Sequence, residues 1–186
     1  VLERTLSFLA QHRQRLPGQR FAINLAPSTA YRAQFPLEVS RLLAKYAVEA
    51  WQLIFEVTES SAFGHADLAA STLRKLQKMG IRIAIDDFGT GYASYARLKS
   101  VDADILKIDG GFIRNIVSNS LDYQIVASIC HLARMKKMLV VAEYVETEEI
   151  RSAVHALGID YVQGYLIGLP AELDTLLDTQ PSQESA

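Results

Sequence analysis

Ile81-Arg82-Ile83-Ala84-Ile85-Asp86-Asp87 and Ile105-Leu106-Lys107-Ile108-Asp109 decide the fold of this chain. Each is a short apolar run that ends on ionisable side chains. A brief, nearly continuous Ile/Val/Leu run reads as a parallel strand covered on both faces. Four more runs share the design, ending on an acid or an amide: Phe21-Ala-Ile-Asn24, Leu53-Ile-Phe-Glu56, Val140-Val-Ala-Glu143 and Tyr161-Val-Gln163. Helical patterns fall between them, over roughly 37–48, 65–79, 121–136 and 147–157, which gives a strand–helix alternation. In parallel folds the carboxyl ends of the strands share one rim. In barrels that rim holds the catalytic groups. Here it would collect Asn24, Glu56, Asp86, Asp87, Lys107, Glu143 and Gln163.

Six strand–helix units fall short of a closed eight-stranded barrel, which takes ~250 residues. The chain also opens inside a helical pattern, Val1 to Ala10, with no N-cap before it. Two further units ahead of Val1 would supply the missing length and strands. The expected fold is therefore a modified (β/α)8 TIM-type barrel with about six of its units in this chain. Residues 1–172 would form the barrel domain, and 173–186 a helix end and flexible tail. An open doubly wound sheet is the competing architecture. Against it stand the lack of a Gly-x-Gly-x-x-Gly after the first strand and the spread of polar ends over every strand, because a switch-point site uses only a few. A barrel short of two strands would expose sheet edges. On that reading residues 1–186 alone are expected to be inactive and to aggregate or associate.

The 186 residues are 49% apolar, enough for one domain with a real core. A net charge of −2 leaves no basic footprint for duplex nucleic acid. The single cysteine, Cys130, lies in an apolar helical pattern, so no disulfide framework exists and a reduced compartment is expected. The expected location is cytoplasmic, either as a free protein or as the cytoplasmic domain of a larger, membrane-anchored one. No apolar run approaches the ~18 residues of a membrane span.

Adjacent carboxylates such as Asp86 and Asp87 repel each other unless a cation compensates. They read either as an N-cap pair or as ligands of a divalent metal. Oxygen donors without His or Cys suit Mg²⁺ or Mn²⁺. The stretch Phe88-Gly89-Thr-Gly91-Tyr-Ala-Ser94 favours the second reading, since Gly89 and Gly91 let backbone approach a ligand. Glu56 with Glu59, and Glu143 with Glu146, repeat a paired-acid theme. Lys107, flanked by Leu106 and Ile108, needs carboxylate partners inside a fold. Asn24 and Gln163 are weak signals alone. The four histidines are scattered without ligand spacing. Tyr92, Tyr95, Phe112 and Tyr165 lie near strand ends, Phe112 reading as core.

The ordered set Asp86-Asp-Phe-Gly-Thr-Gly-Tyr92, Leu106-Lys-Ile-Asp109, Val141-Ala-Glu-Tyr-Val-Glu146 and Val162-Gln-Gly-Tyr165 resembles the signature of the EAL family. Phe55-Glu-Val-Thr-Glu59 and Ile23-Asn-Leu25 fill its intervening positions. The resemblance implies a metal-dependent phosphodiesterase that hydrolyses cyclic di-GMP to linear pGpG in bacterial signalling, on a modified (β/α)8 barrel. A catalytically inactive cyclic di-GMP receptor is the alternative. Carried over, Asn24, Glu56 and Asp86 would hold a first Mg²⁺ or Mn²⁺, with Asp86, Asp87 and Glu143 holding a second. Lys107 would contact the attacking water and Glu143 would be the general base. Glu59 would anchor the Asp-Phe-Gly loop. Asp109, Glu146, Gln163, Gly89 and Gly91 would support the site or the substrate. The resemblance also implies a homodimer, through a surface that includes residues 93–100, and sensory or GGDEF-type domains fused upstream. Two departures stand out. The Glu-Ala-Leu tripeptide would lie before Val1, and Tyr144 stands where the family usually has Gly.

Overall fold

The computed structural model describes residues 1–59, 66–89 and 102–177. The motif residues Gly91, Tyr92 and Tyr95, the expected dimer surface at 93–100 and the tail after 177 lie outside these. The described residues form six strands: β1 Phe21–Asn24, β2 Leu53–Thr58, β3 Arg82–Phe88, β4 Ile105–Ile108, β5 Leu139–Ala142 and β6 Tyr161–Val162. They pair in the order β1-β2-β3-β4-β5-β6, and every pair is parallel. A doubly wound sheet reverses direction partway along the order. This one never does, so its six strands form a half-barrel and the barrel expectation holds.

Helices connect the strands: α1 Leu2–Gln11, α2 Pro27–Ala30, α3 Phe35–Tyr46, α4 Ala66–Lys78, α5 Gly110–Ile113, α6 Ser120–Met135 and α7 Glu148–Ala156. The first ends at Gln11, ahead of Pro17-Gly18, and His12 closes it by bonding Phe8 carbonyl through Nδ1 at 3.0 Å. Starts of later helices follow from capping. Asn119 accepts from Leu121 N–H at 3.0 Å, and Thr147 from Ile150 N–H at 3.3 Å. Left-handed residues at Ala47, Lys137 and Gly158 follow the ends of α3, α6 and α7.

Strand periodicity divides the core from the site. Leu53, Phe55 and Val57 alternate with Ile54, Glu56 and Thr58, and only the first set is fully buried. That set, with Ile83, Ile85, Leu106, Ile108, Val140 and Ala142, packs against Leu6, Val39, Leu76, Val126, Ala133 and Val154 of the helices. Each large side chain so buried contributes about 1.5–3 kcal/mol. Cys130 belongs to this layer, and burial pushes its thiol up to about 11.

The opposite face lines the barrel interior: Ala22, Ile54, Glu56, Ala84, Lys107, Val141 and Gln163 surround a cavity of about 330 Å³. Two aspartates fasten the amino ends of the strands. Asp104, just before β4, accepts Ile83 N–H at 2.8 Å, and Asp160, just before β6, accepts Val140 N–H at 2.7 Å. The carboxyl-end rim is thereby held in fixed stagger.

Candidate metal and phosphate site

The polar residues of this inner face meet around Lys107. Its Nζ lies 2.6 Å from Asp86 Oδ1, 2.9 Å from Glu143 Oε1 and 3.3 Å from Glu56 Oε1. The lysine side chain is only 5% exposed. A buried ammonium needs such partners, because desolvation alone would drive it neutral. Burial does pull its pKa down, but the hydrogen bond to Asp86, the charge of Glu56 and the bond to Glu143 outweigh it, and the net shift is upward.

The carboxylates are left short of positive charge. Burial raises the pKa of Glu56 and of Glu143, and Lys107 only partly opposes it. Asp87 is raised by burial and then by the charge of Asp86. Among the described residues the carboxylates of Glu56, Asp86, Asp87 and Glu143 gather beside the ammonium of Lys107, so full ionisation would set four negative charges around it. Oxygens of Asp86, Asp87 and Glu143 all lie within 4.8 Å of one another, so the three could hold a metal ion. An all-oxygen, strongly anionic set fits a hard divalent cation.

Local backbone explains how neighbours in one strand reach the same point. Successive side chains of a regular strand face opposite ways. The β3–β4 register shifts between Ile85 and Phe88, and Asp87 adopts left-handed φ of +54°. This bulge turns Asp87 toward the rim that Asp86 already faces. Of the two sequence readings of this pair, the N-cap reading meets both residues inside β3 and followed by Phe88 of the same strand, not at the start of a helix.

The other expected residues separate clearly. Asn24 pairs in register with Glu56 at the ends of β1 and β2, and it is exposed. Glu59 is 3% exposed and accepts Gly89 N–H through Oε2 at 3.2 Å. Gly89 lies at φ +110°, and a Cβ there would sit 2.4 Å from the Phe112 ring. Asp109 caps α5 by accepting Gly111 N–H at 2.8 Å, and its own N–H donates to Phe88 carbonyl. Gln163 carbonyl accepts Val145 N–H, joining the β5 and β6 loops. Glu146 is exposed and makes no hydrogen bond or ion pair among the described residues, so only Glu143 of that acid pair enters the cluster. Sequence reasoning missed Arg114, which lies over the Tyr144 ring. The left-handed Tyr144, at φ +55°, gave no signal in the pattern of apolar residues.

Known proteins share this frame. The EAL domain family matches residues 1–170. The Cyclic di-GMP phosphodiesterase PdeF of Escherichia coli is 70% identical over all of this chain and 25% of its own length. A solved complex of the PaMucR phosphodiesterase with c-di-GMP superposes with a TM-score of 0.82 at 38% identity, over 94% of this chain and 72% of that one. The EAL domain of Mycobacterium smegmatis DcpA gives 0.89 at 29% identity, over 95% and 80%. This chain spans about a quarter of the length of the curated relatives it matches first. A consecutive parallel half-barrel with acids around a rim lysine, matched by the family along almost its whole length, makes the chain a member of the EAL domain family.

Proposed function

We propose that this chain carries the catalytic rim of a metal-dependent phosphodiesterase that opens cyclic di-GMP to linear pGpG. The observation that carries the reading is the convergence of Asp86, Asp87, Glu56 and Glu143 on Lys107. Relatives named cyclic di-GMP phosphodiesterases supply the substrate class. Asn24, Glu56 and Asp86 would hold one Mg²⁺ or Mn²⁺, and Asp86, Asp87 and Glu143 a second. Such ions polarise a phosphodiester and make water a better nucleophile at neutral pH.

The protein groups then have definite tasks. Glu143, whose burial raises its proton affinity, accepts a proton from the attacking water. The water oxygen bonds to phosphorus, one ribose–phosphate bond breaks, and the released ribose oxygen takes up a proton from solvent, to which Glu143 later returns the one it accepted. Lys107 Nζ orients that water and offsets charge growing on the phosphoryl oxygens. Glu59 fixes Gly89, and through it the turn that follows Asp87.

The setting is cytoplasmic on this reading, consistent with a buried free Cys130. No helix among the described residues is long and apolar enough to cross a membrane. Additional fused domains belong to the proposal, since the relatives extend well beyond the matched region, and a homodimer is proposed on the family resemblance alone. The test is turnover of cyclic di-GMP by the full-length protein with Mg²⁺ or Mn²⁺, followed by chromatography of products. Appearance of pGpG supports the reading. Tight binding with no product at saturating metal would instead make the protein a receptor.

A further inference from the structure

Tyr144 holds left-handed φ of +55° directly after Glu143. That conformation is unfavourable for a bulky side chain and persists only where surroundings hold it, often beside functional groups. Two contacts hold it here. Its ring lies so close over Gly110 that a Cβ there would sit 2.2 Å from Cδ2. The guanidinium carbon of Arg114 lies 4.0 Å from the ring centroid. Tyr144 is 45% exposed and Arg114 is exposed as well. Among the described residues Arg114 has no carboxylate partner, so its charge and donors remain available. Gly110 follows the strand that carries Lys107, and Tyr144 follows Glu143. The platform therefore borders the acid–lysine cluster along two adjacent loops.

We propose that Arg114, seated on the Tyr144 ring, is a specificity-determining residue that binds a guanine base of the dinucleotide at the edge of the site. The inference rests on the phosphodiesterase reading above. A guanidinium offers parallel N–H donors in one plane, and guanine presents two acceptors, O6 and N7, on one edge. Adenine presents an amino donor in place of O6, so the same arginine meets a donor and loses a bond. Stacking on the ring restricts the arginine before substrate arrives, which lowers the ordering cost of the contact. An aromatic at position 144 thus has a use that glycine would lack.

The experiment uses the full-length protein, wild type, Arg114→Ala, Arg114→Lys and Tyr144→Gly. Cyclic di-GMP and cyclic di-AMP are titrated by calorimetry in EDTA, and steady-state hydrolysis of cyclic di-GMP is measured with Mg²⁺. Arg114→Ala should weaken cyclic di-GMP binding about tenfold and raise KM alike, with kcat changing less than KM. Cyclic di-AMP binding should weaken much less, since adenine keeps only the N7 acceptor. Lysine should fail to rescue, since a point charge cannot make the paired contact. Tyr144→Gly should weaken cyclic di-GMP binding to an intermediate degree with no loss of melting temperature, because the strained φ is relieved. Equal losses for both dinucleotides with rescue by lysine would overturn the guanine assignment in favour of a phosphate contact. Unchanged binding in Arg114→Ala would overturn the inference alone. A wild-type protein that neither binds nor hydrolyses cyclic di-GMP would overturn the phosphodiesterase reading and this one with it.

Discussion

Lys107 on β4 donates a 2.6 Å hydrogen bond to Asp86 on the neighbouring β3. Because Glu56 and Glu143 approach the same nitrogen, one ammonium ties together β2, β3, β4 and the end of β5. The cluster is a balance of opposed charges in a dry setting. Removing either sign should have a large effect, and a different one.

Lys107→Met takes away the positive member and leaves acids facing one another. Breaking a buried ion cluster from one side costs about 3–5 kcal/mol. Urea unfolding in EDTA should show a loss of that order. Added Mg²⁺ should restore more stability to the variant than it adds to the wild type. Equal gains in both proteins would show that the ammonium and the cation do not share a site.

Asp86→Asn removes one negative charge, yet the amide oxygen can still accept from Lys107. Stability should change by no more than about 1 kcal/mol. Turnover of cyclic di-GMP should fall about 1,000-fold, since a lost metal ligand forfeits several kcal/mol of transition-state stabilisation. A melting curve and a rate on the same preparation separate this from a purely structural role, which would give the reverse pattern.

Glu56 and Glu143 have their proton affinity raised by burial. A carboxylate whose folded pKa exceeds its unfolded value stabilises the fold fully below the unfolded value, 4.5 here, and loses that contribution as pH climbs through the folded value. Divalent metal binds the ionised forms and opposes the loss. The rise in melting temperature produced by Mg²⁺ should therefore grow from pH 4.5 upward and then level off. Scanning calorimetry with and without Mg²⁺ across that range checks it. A metal effect constant with pH would remove these carboxylates from the site.

Much of this could be read from the chain. Parallel strands buried on both faces have an unmistakable composition, so Ile83–Asp86 and Ile105–Ile108 announced themselves. Lys107 was legible because an ammonium between Leu106 and Ile108 has no way to reach water. The one-turn helices Pro27–Ala30 and Gly110–Ile113 were not, because a single turn shows no periodicity. The bulge at Asp86-Asp87 was equally hidden. Its left-handed φ comes from tertiary pairing with β4, while the local sequence reads as plain strand.

The same limit applies to Glu143 and Glu146, which look equivalent as a spaced pair. Only the backbone path after β5 decides that the first faces Lys107 while the second faces solvent. That path bends through Tyr144, whose contacts with Gly110 and Arg114 involve residues some thirty positions away.

Gly164 controls the other side of that bend. Val145 N–H donates to Gln163 carbonyl at 3.0 Å, and Leu166 N–H returns a bond to Val145 carbonyl at 3.2 Å. The two loops are so close that a Cβ on Gly164 would lie 2.3 Å from Val145 carbonyl oxygen and 2.4 Å from its nitrogen. Both are backbone atoms, so no rotamer change relieves the clash. Gly164→Ala should cost about 1–3 kcal/mol. For a domain of this size each kcal/mol lowers the melting temperature by roughly 2–4 °C. Because Val145 is two residues from Glu143, its displacement should also reduce kcat. Gly18→Ala is the matched control, since a Cβ there meets nothing within 4 Å. If both alanines prove equally mild in melting temperature and rate, the β6 loop does not position the Glu143 carboxylate.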